Sequence, residues 1–337
     1  MQRLLCLVLA LLFSTDGAAG WLKKQADVMG TRIVVELYHP DPAVAQRGVQ
    51  AVMAEMRRID ASMSPFIDSS ELSLVNREAG QHPVKITDEL FRLLQRANRV
   101  SALTHGAFDV TFASVGFLYD YRKGIRPDDR QRAETISLIN YHRLQLDETQ
   151  QTVHFTKPGM RIDLGGIAKG YAVDRSMALL EQLDIHNALV RAGGDSRVSG
   201  DRWGRPWTIG IRDPRDRKGV VAVIPLEDVA VSTSGDYERF FEQDGIRYHH
   251  IINPRTGDSA RELQSVTIIG PDATTTDALS TSVFVLGLQE GLKLVNSLPG
   301  IDAILVDNQG VLHYSDDLEP ARNPPSGVKV PSSSVAH

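Results

Sequence analysis

The sequence predicts an α+β fold with largely antiparallel sheets flanked by helices, and three observations carry that prediction. Its strand-like segments are short, and several follow one another with no helical pattern between them, which a doubly wound parallel sheet does not allow. The chain also has 337 residues of ordinary globular composition, 42% hydrophobic, 23% charged and 6% aromatic. That is enough to bury a substantial core without disulfides or structural metal, and it excludes collagen-like, disordered and multi-pass membrane classes. A net charge of -5 argues against a nucleic-acid partner, which would call for a basic face.

From the N-terminus, Arg3 precedes an apolar run from Leu4 to Phe13, then Ser14-Thr15-Asp16 and the small residues Gly17 to Gly20. Residues 1–19 therefore read as a signal peptide; the run is shorter than the roughly 20 residues needed to span a bilayer. An uncleaved N-terminal anchor is the other reading of the same residues. Cleavage would remove Cys6, the only cysteine, and with it any disulfide or thiolate chemistry.

Thr31 to Tyr38 alternates Ile33, Val35 and Leu37 with more polar positions, the period of a half-buried strand. Asp41-Pro42 supplies a cap and a first-turn proline to a helix with Val49, Val52, Met53, Met56, Ile59 and Met63 on one face. A second helix starts near Thr87 and aligns Leu90, Leu93, Leu94, Ala97 and Val100. Beyond it, strands are expected near 152–156, 187–191, 206–211, 219–225, 265–270 and 301–306, and helices near 166–183, 276–286 and 289–297. The proline- and serine-rich segment 318–337 reads as a disordered tail after one domain at 27–317.

Three stretches carry candidate chemistry. In Arg161 to Tyr171 a short strand is expected to end in Gly165-Gly166 and open a helix, where free N–H groups and the helix dipole favour a phosphate. The spacing fits neither G-x-G-x-x-G nor the P-loop, and the glycines also fit a plain tight turn into a packed helix. In Thr274 to Phe284, a helix starting at Thr276 would face Asp277 and Thr281 the same way, a carboxylate and a hydroxyl suited to Mg²⁺. Thr276 or Asp277 could equally serve only as the helix cap. In Tyr248 to Gly257, His250 enters Asn-Pro-x-Thr-Gly turn chemistry from a strand end, where an imidazole can act as general base or simply be structural. His249 and His250, adjacent in a strand, point to opposite faces and make a shared zinc site unfavourable.

Taken in order with Met29-Gly30-Thr31, Ser69 to Ser73, Gly106 to Thr111, Ala192 to Asp195 and Ser232 to Tyr237, these motifs resemble the FAD:protein FMN transferase family, the ApbE flavin transferases. The likeness covers nearly the whole chain after the signal segment. It implies a bimodular α+β fold and a Mg²⁺-dependent transfer of FMN from FAD to a Thr or Ser hydroxyl of a client protein, with AMP released. By position, Met29, Phe66, Ala107, Phe108, Asp109, Asp163 and Lys169 resemble the family's FAD contacts. Gly166, through its carbonyl, Asp277 and Thr281 resemble its metal ligands, and His250 is the base in the reading that joins them. Phe66 stands where many members have tyrosine, and Ser280 where some have a second carboxylate. The resemblance also implies an exported, periplasmic enzyme, at or near the inner membrane, serving flavoprotein subunits of membrane electron-transfer complexes. Their acceptor pattern resembles Asp-Gly-x-Ser/Thr-Gly-Ala/Ser-Thr. An FAD pyrophosphatase and a non-catalytic flavin-binding protein are the alternative expectations.

Overall fold

Eight strands form one sheet in which the order in space is the order in the chain, every pair antiparallel. They are β1 (Leu22–Val28), β2 (Thr31–Tyr38), β3 (Asn187–Ala192), β4 (Asp195–Ser199), β5 (Ala230–Gly235), β6 (Leu263–Gly270), β7 (Asp302–Asp307) and β8 (Leu312–Tyr314). The chain is seen in a computed structural model that describes residues 20–216 and 219–318. The expected signal peptide lies outside the described residues, and so does the expected tail apart from Leu318, which ends a short 3-10 turn, Asp316–Leu318. Among the described residues no helix is long and apolar enough to cross a membrane.

The excursions between consecutive strands carry the rest of the fold. Residues 39–186 hold α1 (Pro42–Met63), α2 (Glu71–Glu78), α3 (Asp88–Leu103), α4 (Ala113–Gly116), α5 (Asp129–Thr135) and α6 (Ala168–Gln182), with a three-stranded sheet that includes Thr152–Phe155. A hairpin, Trp207–Arg212 with Val220–Leu226, joins β4 to β5. Two small ribbons lie between β5 and β6, and α7 (Ala273–Leu286) and α8 (Leu288–Asn296) lie between β6 and β7.

Strand alternation sorts the two faces of the sheet. Ile33, Val35, Leu37, Ala188, Val190 and Ala192 face α1 and α6 in the main core. Val266, Ile268, Ala303 and Leu305 continue that face against Leu279, Val283, Phe284 and Val295 of α7 and α8. On the opposite face, Leu189, Val198, Val231 and Ile269 are covered by Trp207, Ile209 and Leu226 of the hairpin.

The predicted α+β class and the antiparallel pairing are found. Asp41 caps α1, its carboxylate accepting from the Ala43 amide at 2.8 Å, and the expected apolar face of α1 is buried. Strand β1 precedes the first strand that the sequence predicts. It is an edge strand with Lys23, Lys24 and Gln25 exposed, so its stability lies in the ladder to β2 rather than in an apolar face. Met29 and Gly30 join the two strands with φ of 57° and 66°, the left-handed pair of a two-residue hairpin turn.

Candidate active site

The site collects at the end of the sheet marked by two tight turns, Met29-Gly30 and Gly193-Gly194. A Cβ on Gly193 would lie 2.5 Å from Thr31 Oγ1, so this glycine lets the two hairpins sit side by side. Residues 161–164 belong to no strand, which corrects the expected one. Side chains hold them instead: Asn76 makes two bonds to the Ile162 backbone, at 2.8 and 2.9 Å, and Ser114 accepts from the Arg161 amide at 2.9 Å. The Asp163 amide donates to Val110 O at 3.0 Å, and Asp163 Oδ1 accepts from the Gly165 amide at 2.6 Å. Burial raises the Asp163 pKa against those contacts.

Helix α6 begins at Ala168, two residues later than expected, and its cap residue Ile167 offers no side-chain bond. The Gly170 amide is satisfied from another helix, by Asp277 Oδ2 at 3.0 Å. A Cβ on Gly170 would lie 2.0 Å from Ala273 O, so this glycine sets the closeness of α6 and α7. Close packing, though not the tight turn, is thus true of Gly170, which lies inside α6. At Gly166 a Cβ would lie 3.2 Å from both the Phe108 ring and Thr281 Oγ1, which places Gly166, Phe108 and Thr281 together.

Helix α7 starts three residues before Thr276, because Asp272 is its cap, accepting from the Thr275 amide at 2.9 Å and pairing with Arg96. Neither Thr276 nor Asp277 is therefore the cap. Asp277 and Thr281 are on the second and third turns, one turn apart. Asp277 is 2% exposed and points at Lys169, whose Nζ lies 3.2 Å from each of its oxygens. The same ammonium lies 3.1 Å from Asp195 Oδ2 and donates to Gly165 O at 2.8 Å. Two buried carboxylates thus share one ammonium. Burial first and the Asp195 charge second push Asp277 up to about 7, against Lys169 and the Gly170 amide. Burial opposes the charge of Lys169, yet Asp195 and Asp277 outweigh it and hold the ammonium above its ordinary pKa. Ser280 Oγ is taken by Ser234 at 2.8 Å and by Asp277 O at 2.9 Å.

His250 follows the short strand Ile246–His249 rather than ending it, and its amide donates to Arg239 O at 3.1 Å. Its Nδ1 is enclosed and has no hydrogen-bond partner among the described residues. Burial, then the positive charge of Arg239, lowers its pKa to about 3, so the ring is neutral. His249 diverges from it as expected. It is buried, 2.6 Å from Ala260 O through Nε2 and edge-on to Phe284, a structural role.

The remaining predicted flavin contacts are Met29, Phe66, Ala107, Phe108 and Asp109. The Met29 amide donates to Asp60 at 3.3 Å in the turn beside Gly30, and Arg239 reaches the Gly30 carbonyl at 3.4 Å. Ala107 and Phe108 are buried. Both oxygens of Asp109 are occupied within the chain, by Thr111 at 2.6 and 2.8 Å and by the Tyr141 amide at 2.9 Å, so its carboxylate shapes the loop. A cavity of about 460 Å³ opens beside Asp109, between Tyr141 and the Pro254-Arg255 turn. Phe66 is 73% exposed, tilted against Phe117 at 6.1 Å, with Arg161 over the Phe117 ring.

The donor set suits magnesium. Among the described residues no group of three or more His, Cys, Asp or Glu side chains is placed to hold a metal. Asp277 and Thr281 supply a carboxylate and a hydroxyl beside the backbone of Gly166, hard oxygen donors of the kind that Mg²⁺ takes while keeping waters. Two participants escaped the sequence reading. Asp195 stood in a named motif with no role attached, and Arg239 had no local signal at all.

A family model described as ApbE family matches residues 29–305. The chain is 35% identical to an FAD:protein FMN transferase of Klebsiella pneumoniae (strain 342), covering 83% of this chain and 87% of that protein. It is 34% identical to one of Treponema pallidum (strain Nichols), covering 83% and 82%. Among solved structures, the ApbE protein of Thermotoga maritima MSB8 superposes with a TM-score of 0.82 at 36% identity, covering 88% of this chain and 98% of that one. The flavin transferase ApbE of Vibrio cholerae superposes with a TM-score of 0.79 at 27% identity, covering 88% and 96%.

Proposed function

The chain belongs to the ApbE family, and from that premise we propose that it is an FAD:protein FMN transferase that uses Mg²⁺, moves FMN onto a Thr or Ser hydroxyl of a client, and releases AMP. The observation that carries this reading is the Lys169–Asp195–Asp277 cluster at the α6–α7 crossing, with the hydroxyl of Thr281 one turn from Asp277 and His250 neutral nearby.

FAD is the substrate. Asp277, Thr281 and the Gly166 backbone would hold the metal, which supplies charge neutralisation at the pyrophosphate. Lys169 is anchored by two carboxylates and adds a fixed positive charge at the opening of α6. The exposed Phe66 face would take the flavin ring, a stacking contact that needs no hydroxyl. His250, whose ring is uncharged, accepts the proton of the client hydroxyl as its oxygen attacks the FMN-side phosphorus. One P–O bond forms to the client and the bridging P–O bond breaks, so that AMP leaves with the bridging oxygen and the flavin ring is unaltered. Placement is part of the proposal too: an exported, periplasmic enzyme serving flavoprotein subunits of membrane electron-transfer complexes.

The test is intact-mass spectrometry of an acceptor peptide carrying the threonine pattern, incubated with the protein, FAD and Mg²⁺, with an EDTA control. The expected result is a gain of one FMN less water, with AMP released and both abolished by EDTA. Free FMN and AMP with an unmodified acceptor would instead establish a pyrophosphatase.

A further inference from the structure

The face of the sheet opposite α6 and α7 holds a second cavity, of about 400 Å³, between the β1–β2–β3 strands and the Trp207–Arg212 hairpin strand. Its side chains come from the outward register positions: Arg191 on β3 lies opposite Val34 on β2, and Val34 opposite Gln25 on β1. Lys23, Arg32, Arg191 and Arg202 line it against a single carboxylate, Glu36. That carboxylate is already engaged on both oxygens, by Lys23 at 3.1 Å and Arg202 at 2.8 Å. Arg32 has one distant contact, to exposed Asp27 at 3.7 Å. The Arg191 guanidinium has no ion pair and no hydrogen bond among the described residues, although the residue is half-buried on a central strand.

A half-buried guanidinium without a counter-ion is costly to keep. Burial and the nearby charge of Arg212 depress the Arg191 pKa, the same penalty seen another way. If only the stem mattered, methionine or leucine would pack there without that cost. Guanidinium groups present planar paired donors that match an oxyanion, and the cavity wall adds the Thr208 hydroxyl. We propose that this cavity binds an oxyanion of the phosphate class, anchored by Arg191 with Arg32 and Lys23 at its rim. It is separate from the flavin site, because Lys169, Asp195 and Asp277 meet on the helical side of the sheet.

Titration calorimetry of the purified protein at constant ionic strength tests this with two probes, inorganic phosphate and phosphatidylglycerol vesicles, against phosphatidylcholine vesicles as the neutral control. At least one anionic probe should bind, and Arg191→Gln should weaken it about tenfold or more, about 1.4 kcal/mol. Arg191→Gln orphans no partner, so it should fold and transfer FMN as the wild type does. Arg32→Gln, at a side chain 70% exposed, should weaken the same binding severalfold without touching the fold. Binding should survive Asp277→Ala. Phosphate binding that depends on Arg191 would assign a soluble ligand, and vesicle binding with that dependence would assign a lipid headgroup. Binding of neither probe, or binding that Arg191→Gln and Arg32→Gln leave unchanged, would overturn the proposal.

Discussion

Asp174 of α6 and Asp277 of α7 each cap the helix that carries the other. Asp174 accepts from the Ala273 and Thr274 amides at 2.9 and 2.8 Å, and Asp277 accepts from the Gly170 amide at 3.0 Å. Helix ends leave N–H groups that must find partners. Here the exchange locks α6 to α7, the helix that carries Asp277 and Thr281 of the candidate metal site.

Asp174→Ala should therefore reach the site without touching it. The loss of the cap is expected to cost about 1–2 kcal/mol and to free Arg197, its partner at 2.9 Å. Urea unfolding should show the lower midpoint, and transfer should need more Mg²⁺ than in the wild type. An unchanged midpoint would remove the cross-capping argument.

Gly170→Ala should be worse than Gly166→Ala. The new methyl would meet Ala273 O at 2.0 Å, a backbone atom, whereas at Gly166 the contacts are side-chain atoms at 3.2 Å. Overpacking of the first kind costs about 1–3 kcal/mol or more. Thermal unfolding of the two variants side by side checks the order.

His250→Ala should slow transfer by about 10²–10⁴-fold with FAD binding retained, as befits loss of a general base. A loss of tenfold or less, measured by acceptor mass against time, would exclude that role. With a pKa of about 3 the ring stays neutral from pH 5 to 8, so an acidic limb in that range should belong to another group.

Asp277 has a pKa within that range. Its folded pKa of about 7 is above the ordinary 3.8, so the folded protein binds the extra proton between those values. Its contribution favours folding at low pH and is lost as pH rises through that window. In EDTA, Asp277→Asn should gain stability relative to the wild type from pH 5 to 8, read as urea midpoints. Parallel profiles would mean an unshifted carboxyl.

Phe66→Ala should leave stability within about 0.5 kcal/mol, since the ring is exposed. FAD affinity, by quenching of flavin fluorescence, should fall severalfold, in keeping with a stacking contact of about 1 kcal/mol.

Much of this architecture was legible where one segment decides its own structure. Strand β2 and helix α1 show their apolar faces in sequence, and the spacing of Asp277 and Thr281 gave their common face. Strand β5, Ala230–Gly235, carries Ser232, Thr233 and Ser234 in a row, which leaves no apolar alternation to read. Those hydroxyls are satisfied only across space, Ser232 by Thr276 and Ser234 by Ser280, each at 2.8 Å. Asp195 and Lys169 meet for the same reason, through the fold and not through spacing. The cap of α7 was misplaced because Thr274, Thr275 and Thr276 offer cap-like residues, while Asp272, which caps, precedes them.

The chain-ordered sheet has a kinetic corollary. From β3 to β8 each strand pairs with its predecessor after a modest excursion, whereas β2 and β3 must be brought together across residues 39–186. Closing so long a loop is entropically the slowest of these pairings. The β1–β2 ribbon should then dock last during refolding, and it brings Met29 and Thr31 to the turn at Gly193. Catalytic competence is accordingly expected to return after the bulk of the secondary structure, a lag that stopped-flow circular dichroism paired with timed activity assays would resolve.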